Sequence, residues 1–164
     1  MVNPHKLVEA LRGQELRCRV GVLGLPAPAL GSERQIAAAL DVEFTDYRER
    51  LLASAPAGSR FLHLSAATLF DDLDRLANAA SGESCVLVGN FDVAVGRLGT
   101  AERTGLWNTL LTGFPHRTRA LILCVPMHED ARLIFPDSET RRLWQESLRY
   151  AKWPDGRGDG QQAC

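Results

Sequence analysis

Three clusters in this 164-residue sequence carry side chains able to do chemistry. In the first, Gly24 and Gly31-Ser32 enclose Leu25-Pro26-Ala27-Pro28-Ala29-Leu30, between an apolar run and a stretch with helical spacing. A glycine loop that runs into a helix N-terminus lets backbone amides wrap phosphate, and Gly-x-x-x-x-Gly-Lys-Ser/Thr is the pattern that does so. Here six residues separate the glycines where the pattern has four, and no lysine follows Gly31. Lys6 and Lys152 are the chain's two lysines, so no small shift of alignment supplies one. Arg34 is the nearest cation, and a planar guanidinium does not reproduce an ammonium held inside a tight loop. Pro26 and Pro28 remove two N–H groups from the stretch that would donate. Loss of the lysine alone forfeits about 1.5–3 kcal/mol. The expectation is weak nucleotide binding or none, with Gly24, Gly31, Ser32 and Arg34 as the remnant site. An ordinary turn between strand and helix, capped by Ser32, fits the same residues.

The second cluster follows the apolar run Cys85-Val86-Leu87-Val88. An aspartate at the end of such a strand holds Mg²⁺ in nucleotide hydrolases. Gly89 stands in that place, and Asp92 comes three residues later, either as a displaced ligand or as a turn residue after Asn90. The third cluster, His128-Glu129-Asp130, offers a histidine beside two carboxylates, which suits a general base or, equally, a solvated helix start. Arg103, Arg117 and Arg119 are candidates for an arginine finger reaching a neighbour's nucleotide, against ordinary surface solvation. Arg141, Arg142 and Arg149, with Lys152 beyond, form a local candidate for phosphate-backbone contact, diluted by Glu139 and Glu146. Cys18, Cys85, Cys124 and Cys164 show no Cys-x-x-Cys pair and no histidine at zinc spacing, so no structural metal is expected.

Positioning these groups falls to alternating strands and helices. A first amphipathic helix spans 1–14. Strand patterns cover Arg17 to Gly24, Asp41 to Thr45, Cys85 to Val88 and Ala120 to Val125; helical spacing covers Ser32 to Leu40, Asp46 to Ala53, Ala66 to Ala80, Thr100 to Thr112 and about Asp137 to Tyr150. Ser32 with Gln35 has capping-box spacing. Two strands that are apolar throughout predict a sheet covered on both sides, hence a three-layer α/β/α fold with a mostly parallel sheet, such as the P-loop and flavodoxin-like types, with P-loop NTPase-like the expectation. The expected organisation is a single domain over 1–153 and a flexible Gly- and Gln-rich tail over 154–164.

At 45% hydrophobic the chain can bury a core, and its formal charge of −1 with pI near 6.4 gives no global field for nucleic acid or anionic lipid. Strong direct nucleic-acid binding is not expected. Neither a signal nor a transit pattern is seen at the start, and no apolar run approaches the roughly 20 residues of a membrane span. A cytoplasmic location is the expectation.

Taken in order, the elements resemble a small AAA+-like P-loop ATPase with a degenerate phosphate loop. Val42-Glu43-Phe44-Thr45-Asp46-Tyr47-Arg48-Glu49-Arg50-Leu51-Leu52 is similar to the second strand and following helix of BrxF, the small P-loop subunit family of type-three BREX phage-defence systems. Val88-Gly89-Asn90-Phe91-Asp92 resembles that family's Asp-Asn-hydrophobic-acidic segment with glycine in place of the first acid. The resemblance covers about Leu16 to Val125. It implies an accessory role in a bacterial DNA-surveillance complex, protein subunits or a second copy of the chain as partners, and ATP with Mg²⁺ as cofactors. The missing lysine and displaced aspartate make a pseudo-ATPase the expectation. The alternative is a small α/β enzyme of another class using His128 with Glu129 or Asp130.

Overall fold

In the computed structural model, residues 2–13, 15–59, 62–80, 82–114, 117–127, 134–135 and 137–155 are described. Val20–Leu25 (β1), Cys85–Gly89 (β3) and Ala120–Pro126 (β4) are buried along nearly their whole length, as strands covered on both faces must be. Glu43–Asp46 (β2) is half-buried at one edge, and Tyr150–Lys152 (β5) closes the other. Across the sheet the order is β2-β3-β4-β1-β5, and every pairing is parallel. That order is neither the Rossmann nor the flavodoxin-like arrangement, the other common doubly wound types.

Strand alternation divides the core in two. Val20 and Val22 face one cluster, Leu23 and Leu25 the other. The second cluster is completed by Leu7, Val8 and Leu11 of Pro4–Arg12 (α1) and by Ile36 and Ala37 of Glu33–Ala39 (α2). The first takes Tyr47–Ser54 (α3), Ala66–Ala77 (α4), Phe91–Val95 (α5), Thr100–Thr112 (α6) and Ser138–Glu146 (α7). The chain is therefore a three-layer α/β/α fold, P-loop-like in its layers. Trp107 anchors the larger cluster: fully buried, it stacks on Phe135 with centroids 4.6 Å apart, meets Phe91 and Trp144 edge-on, and donates its ring N–H to the Ile134 carbonyl at 2.7 Å. That bond satisfies the one polar atom of the Trp107 ring.

Several boundaries differ from the expectation. The last helix ends at Glu146, and Tyr150 to Lys152 forms a fifth strand beside β1. Three residues are too few to show alternation, and helical spacing runs on through Leu148, which is 65% exposed. Helix α4 starts on a capping box made by Ser65 and Thr68, while Ser32, expected to cap α2, makes no such bond. No helix among the described residues is long and apolar enough to cross a membrane.

Candidate functional site

Topology says where a ligand crevice belongs. The connection from β1 to β2 carries α2 on the α1 side, whereas the remaining connections step the other way across the sheet and carry α3 to α7 on the opposite side. Right-handed crossovers require that separation. Departing chains thus diverge at the carboxyl ends of β1 and β4, the switch point where open parallel sheets bind ligands. The turn from Gly24 to Ser32 lies there, as its sequence position implied.

Its conformation is closed on itself. Ala27–Ala29 forms a 3₁₀ turn in which the Ala29 amide donates to the Pro26 carbonyl at 2.9 Å, that of Leu30 to Ala27 at 3.3 Å, and that of Ser32 to Ala29 at 3.1 Å. Pro26 and Pro28 have no amide to offer. Five of the seven positions from 26 to 32 therefore present no free N–H outward. Gly31 holds φ +83°, the left-handed region where glycine is strain-free. Arg34 does not face the turn; its guanidinium lies over the Phe44 ring of β2 at 4.8 Å.

Glu33, a residue without a signal in the sequence, occupies the first position of α2 and is only 9% exposed. A carboxylate at a helix start satisfies the positive end of the helix dipole that a phosphate would otherwise use. Burial pushes the Cys124 thiol well above its ordinary range, and the charges of Glu33 and Asp92 push it further. Asp92 itself lies half-buried in the first turn of α5.

The two marker glycines have packing roles. A Cβ on Gly24 would come within 2.7 Å of Met127 Cγ and 2.9 Å of the Tyr150 hydroxyl, so this glycine lets Met127, just past β4, and Tyr150 of β5 close over β1. On Gly89 a Cβ would lie 2.9 Å from the Phe44 ring and 3.3 Å from Glu33 Cβ. The acid expected at that point in a metal-binding strand has no room. Next to it Asn90 holds φ 56°, a left-handed conformation uncommon outside glycine, and donates to Asp46 Oδ2 at 2.9 Å. The other oxygen of Asp46 accepts from the Arg48 and Glu49 amides and caps α3.

The remaining candidates are dispersed. His128, Glu129 and Asp130 lie outside the described residues. Arg117 and Arg119 sit at the amino end of β4, the opposite edge from the crevice. Arg119 is 4% exposed, donates to the Glu83 carbonyl at 2.8 Å and pairs with Glu43; Arg117 pairs with Asp74 over the Phe114 ring. Burial opposes the Glu43 charge, yet the Arg119 guanidinium and the Glu83 amide hold its carboxyl below the ordinary value. Both arginines serve as structural clamps here. Arg103 is half-buried on α6, 3.4 Å from the Thr100 hydroxyl.

The expected basic face of the last helix is corrected too. Arg149 leaves the helix, lies over the Trp144 ring at 5.2 Å, and donates to the carbonyls of Cys18 at 3.1 Å, Val20 at 3.3 Å and Leu111 at 2.6 Å. Arg142 pairs along α7 with Glu146 at 3.0 Å. Trp153 is half-buried against the α1 side of the core.

A nucleoside triphosphate with its Mg²⁺ does not fit these residues. The turn bonds three of its amides internally and lacks two more at its prolines, the nearest cation is stacked elsewhere, Glu33 is buried at the start of the receiving helix, and the metal-strand acid is excluded sterically. Among the described residues no group of three or more His, Cys, Asp and Glu could hold a metal ion. No protein-family model matches the chain and no curated protein matches it in sequence, so its function is read from the fold and the crevice.

Proposed function

We propose that this chain is a P-loop-like subunit that does not hydrolyse nucleotide and works through protein–protein contact, in a bacterial anti-phage or DNA-processing complex of the kind the BREX resemblance implies. The observation that carries the reading is Glu33. A buried carboxylate opens the helix that would receive phosphate, in a parallel sheet whose β1 turn lies at the switch point. A negative side chain there repels a triphosphate through a partly desolvated path, where charge interactions are stronger than in water. The retained layers and lost donors together support a fold kept for its shape.

Calorimetric titration of the full chain with Mg-ATP tests this. The expected result is no binding tighter than about 1 mM, roughly −4 kcal/mol. Low-micromolar binding with phosphate release would overturn the non-catalytic reading.

A further inference from the structure

Three of the six large apolar residues exposed among the described residues lie in one groove: Leu52 is 63% exposed, Leu62 39% and Val93 45%. Single exposed apolar side chains are ordinary; several lining one depression mark a contact site. The groove, about 470 Å³, runs between α3, residues 62–64 and α5. It is open because of how those elements are anchored. Helix α3 buries only Tyr47 fully, and α5 is a five-residue helix that turns Val93 outward.

Its charge is one-sided. Arg48, His63 and Arg97 stand along the groove, and among the described residues no carboxylate lines it. Neither Arg48 nor Arg97 pairs with a carboxylate among the described residues. The contrast within α3 is informative. Arg50, on the other flank of the helix, is locked to Asp72 by two bonds of 2.9 and 3.0 Å.

We infer that this groove docks an acidic amphipathic helix of a partner protein, with apolar residues three or four positions apart on Leu52, Leu62 and Val93 and carboxylates against Arg48 and Arg97. Apolar anchors at helical spacing seated in a groove are a recurring recognition mode, and opposite charge along the rim sets orientation and association rate. Among the described residues the groove wall is mainly aliphatic, with His63 its single ring and so no platform for successive bases, and the chain as a whole carries −1, which argues against a nucleic acid occupant. Both α3 and α5 begin at the carboxyl ends of their strands, so the partner sits at the edge of the sheet that carries the closed phosphate turn. The inference rests on the protein-contact reading above and names its surface.

Selection of a random 12-residue peptide display library on the full chain tests it. The expected consensus is net negative with apolar residues spaced three or four apart. A synthetic consensus peptide, followed by fluorescence anisotropy, should bind at least tenfold more weakly to Arg48→Glu/Arg97→Glu and to Leu52→Glu, exposed positions whose variants keep the wild-type circular dichroism. Basic consensus peptides, no enrichment, or affinity unchanged in these variants would overturn the groove. Tighter binding of a 20-nucleotide DNA than of the peptide, or self-association abolished by Leu52→Glu, would also overturn it, in favour of nucleic acid or a second copy. Nucleotide binding measured separately would sink the proposed function while leaving a selected acidic peptide in place, so the two failures are distinguishable.

Discussion

The two ends of the sheet are built on opposite plans. At the amino ends, guanidinium groups are spent on structure. Arg149 ties Cys18, Val20 and Leu111 together, and Arg119 ties β4 to Glu43 and Glu83. At the carboxyl ends, Asn90 is left-handed, Glu33 is buried, and Arg34 is drawn onto an aromatic ring. Parallel sheets leave their carboxyl ends to function because helix starts and strand ends converge there. In this chain a buried carboxylate and an arginine stacked on a ring stand at that end, while at the amino end the guanidinium groups clamp strands and loops together. The difference teaches that packing at one end of the sheet and the groups converging at the other depend on different residues, so either can change without the other.

The largest test of that contrast is Arg149→Met, which strips three carbonyls of their donor and removes the stack on Trp144. A loss of about 4 kcal/mol is expected in urea unfolding; a cost below about 1 kcal/mol would break the claim that the amino end holds the structure. Next comes an attempt to rebuild the crevice. Gly89→Asp should cost about 3 kcal/mol by overpacking against Phe44 and by placing like charge beside Glu33. Combined with Ser32→Lys it should restore no ATP turnover, and measurable hydrolysis by the double variant would show that the turn can still open.

Arg119→Ala should cost about 2 kcal/mol at neutral pH, less than a fully buried pair because Glu43 is a third exposed. It also carries a pH signature. Because the folded Glu43 carboxyl is held below its ordinary value, its contribution is present above about pH 4.5 and is lost as pH falls below it. Acid unfolding curves of the variant should therefore be flatter over that window, and an unchanged acid limb would dismiss the pair as a stabiliser. Burial raises the Cys85 thiol to about 11 from an ordinary 9.0, so stability is full below pH 9 and declines as pH climbs toward 11. Replacing Cys85 with alanine should shrink that alkaline decline, leaving the part that the equally buried Cys124 thiol contributes, read from thermal unfolding across the same range. The smallest effect belongs to Asn90→Gly, where about 1 kcal/mol of relieved strain offsets the lost bond to Asp46. A melting temperature within about 2 °C of wild type is expected, and a large rise would mark Asn90 as a strained functional residue.

Much of the layer plan was legible in the chain. The apolar runs at 85–88 and 120–125 announced covered strands, and helical spacing from Asp46 and from Ala66 announced helices, because burial on two faces and on one stripe are local demands. Helical spacing from Asp137 did the same, and Asp137 caps that helix, accepting from the Thr140 amide at 2.6 Å. The candidate site was legible only as a deviation from a motif. Nothing in the spacing distinguished Gly24 as room for Met127 and Tyr150 from Gly24 as a phosphate glycine, since those side chains come from positions 127 and 150.

By itself the sequence determined the alternation of strands and helices, the covered parallel sheet, and the lack of a lysine at the β1 turn. Tertiary structure decided the strand order, the fifth strand, the burial of Glu33, and which arginines are clamps and which are left at a groove. Periodicity reports what each segment must hide from water, whereas these outcomes depend on which distant segments share one face, and that is settled when the layers pack.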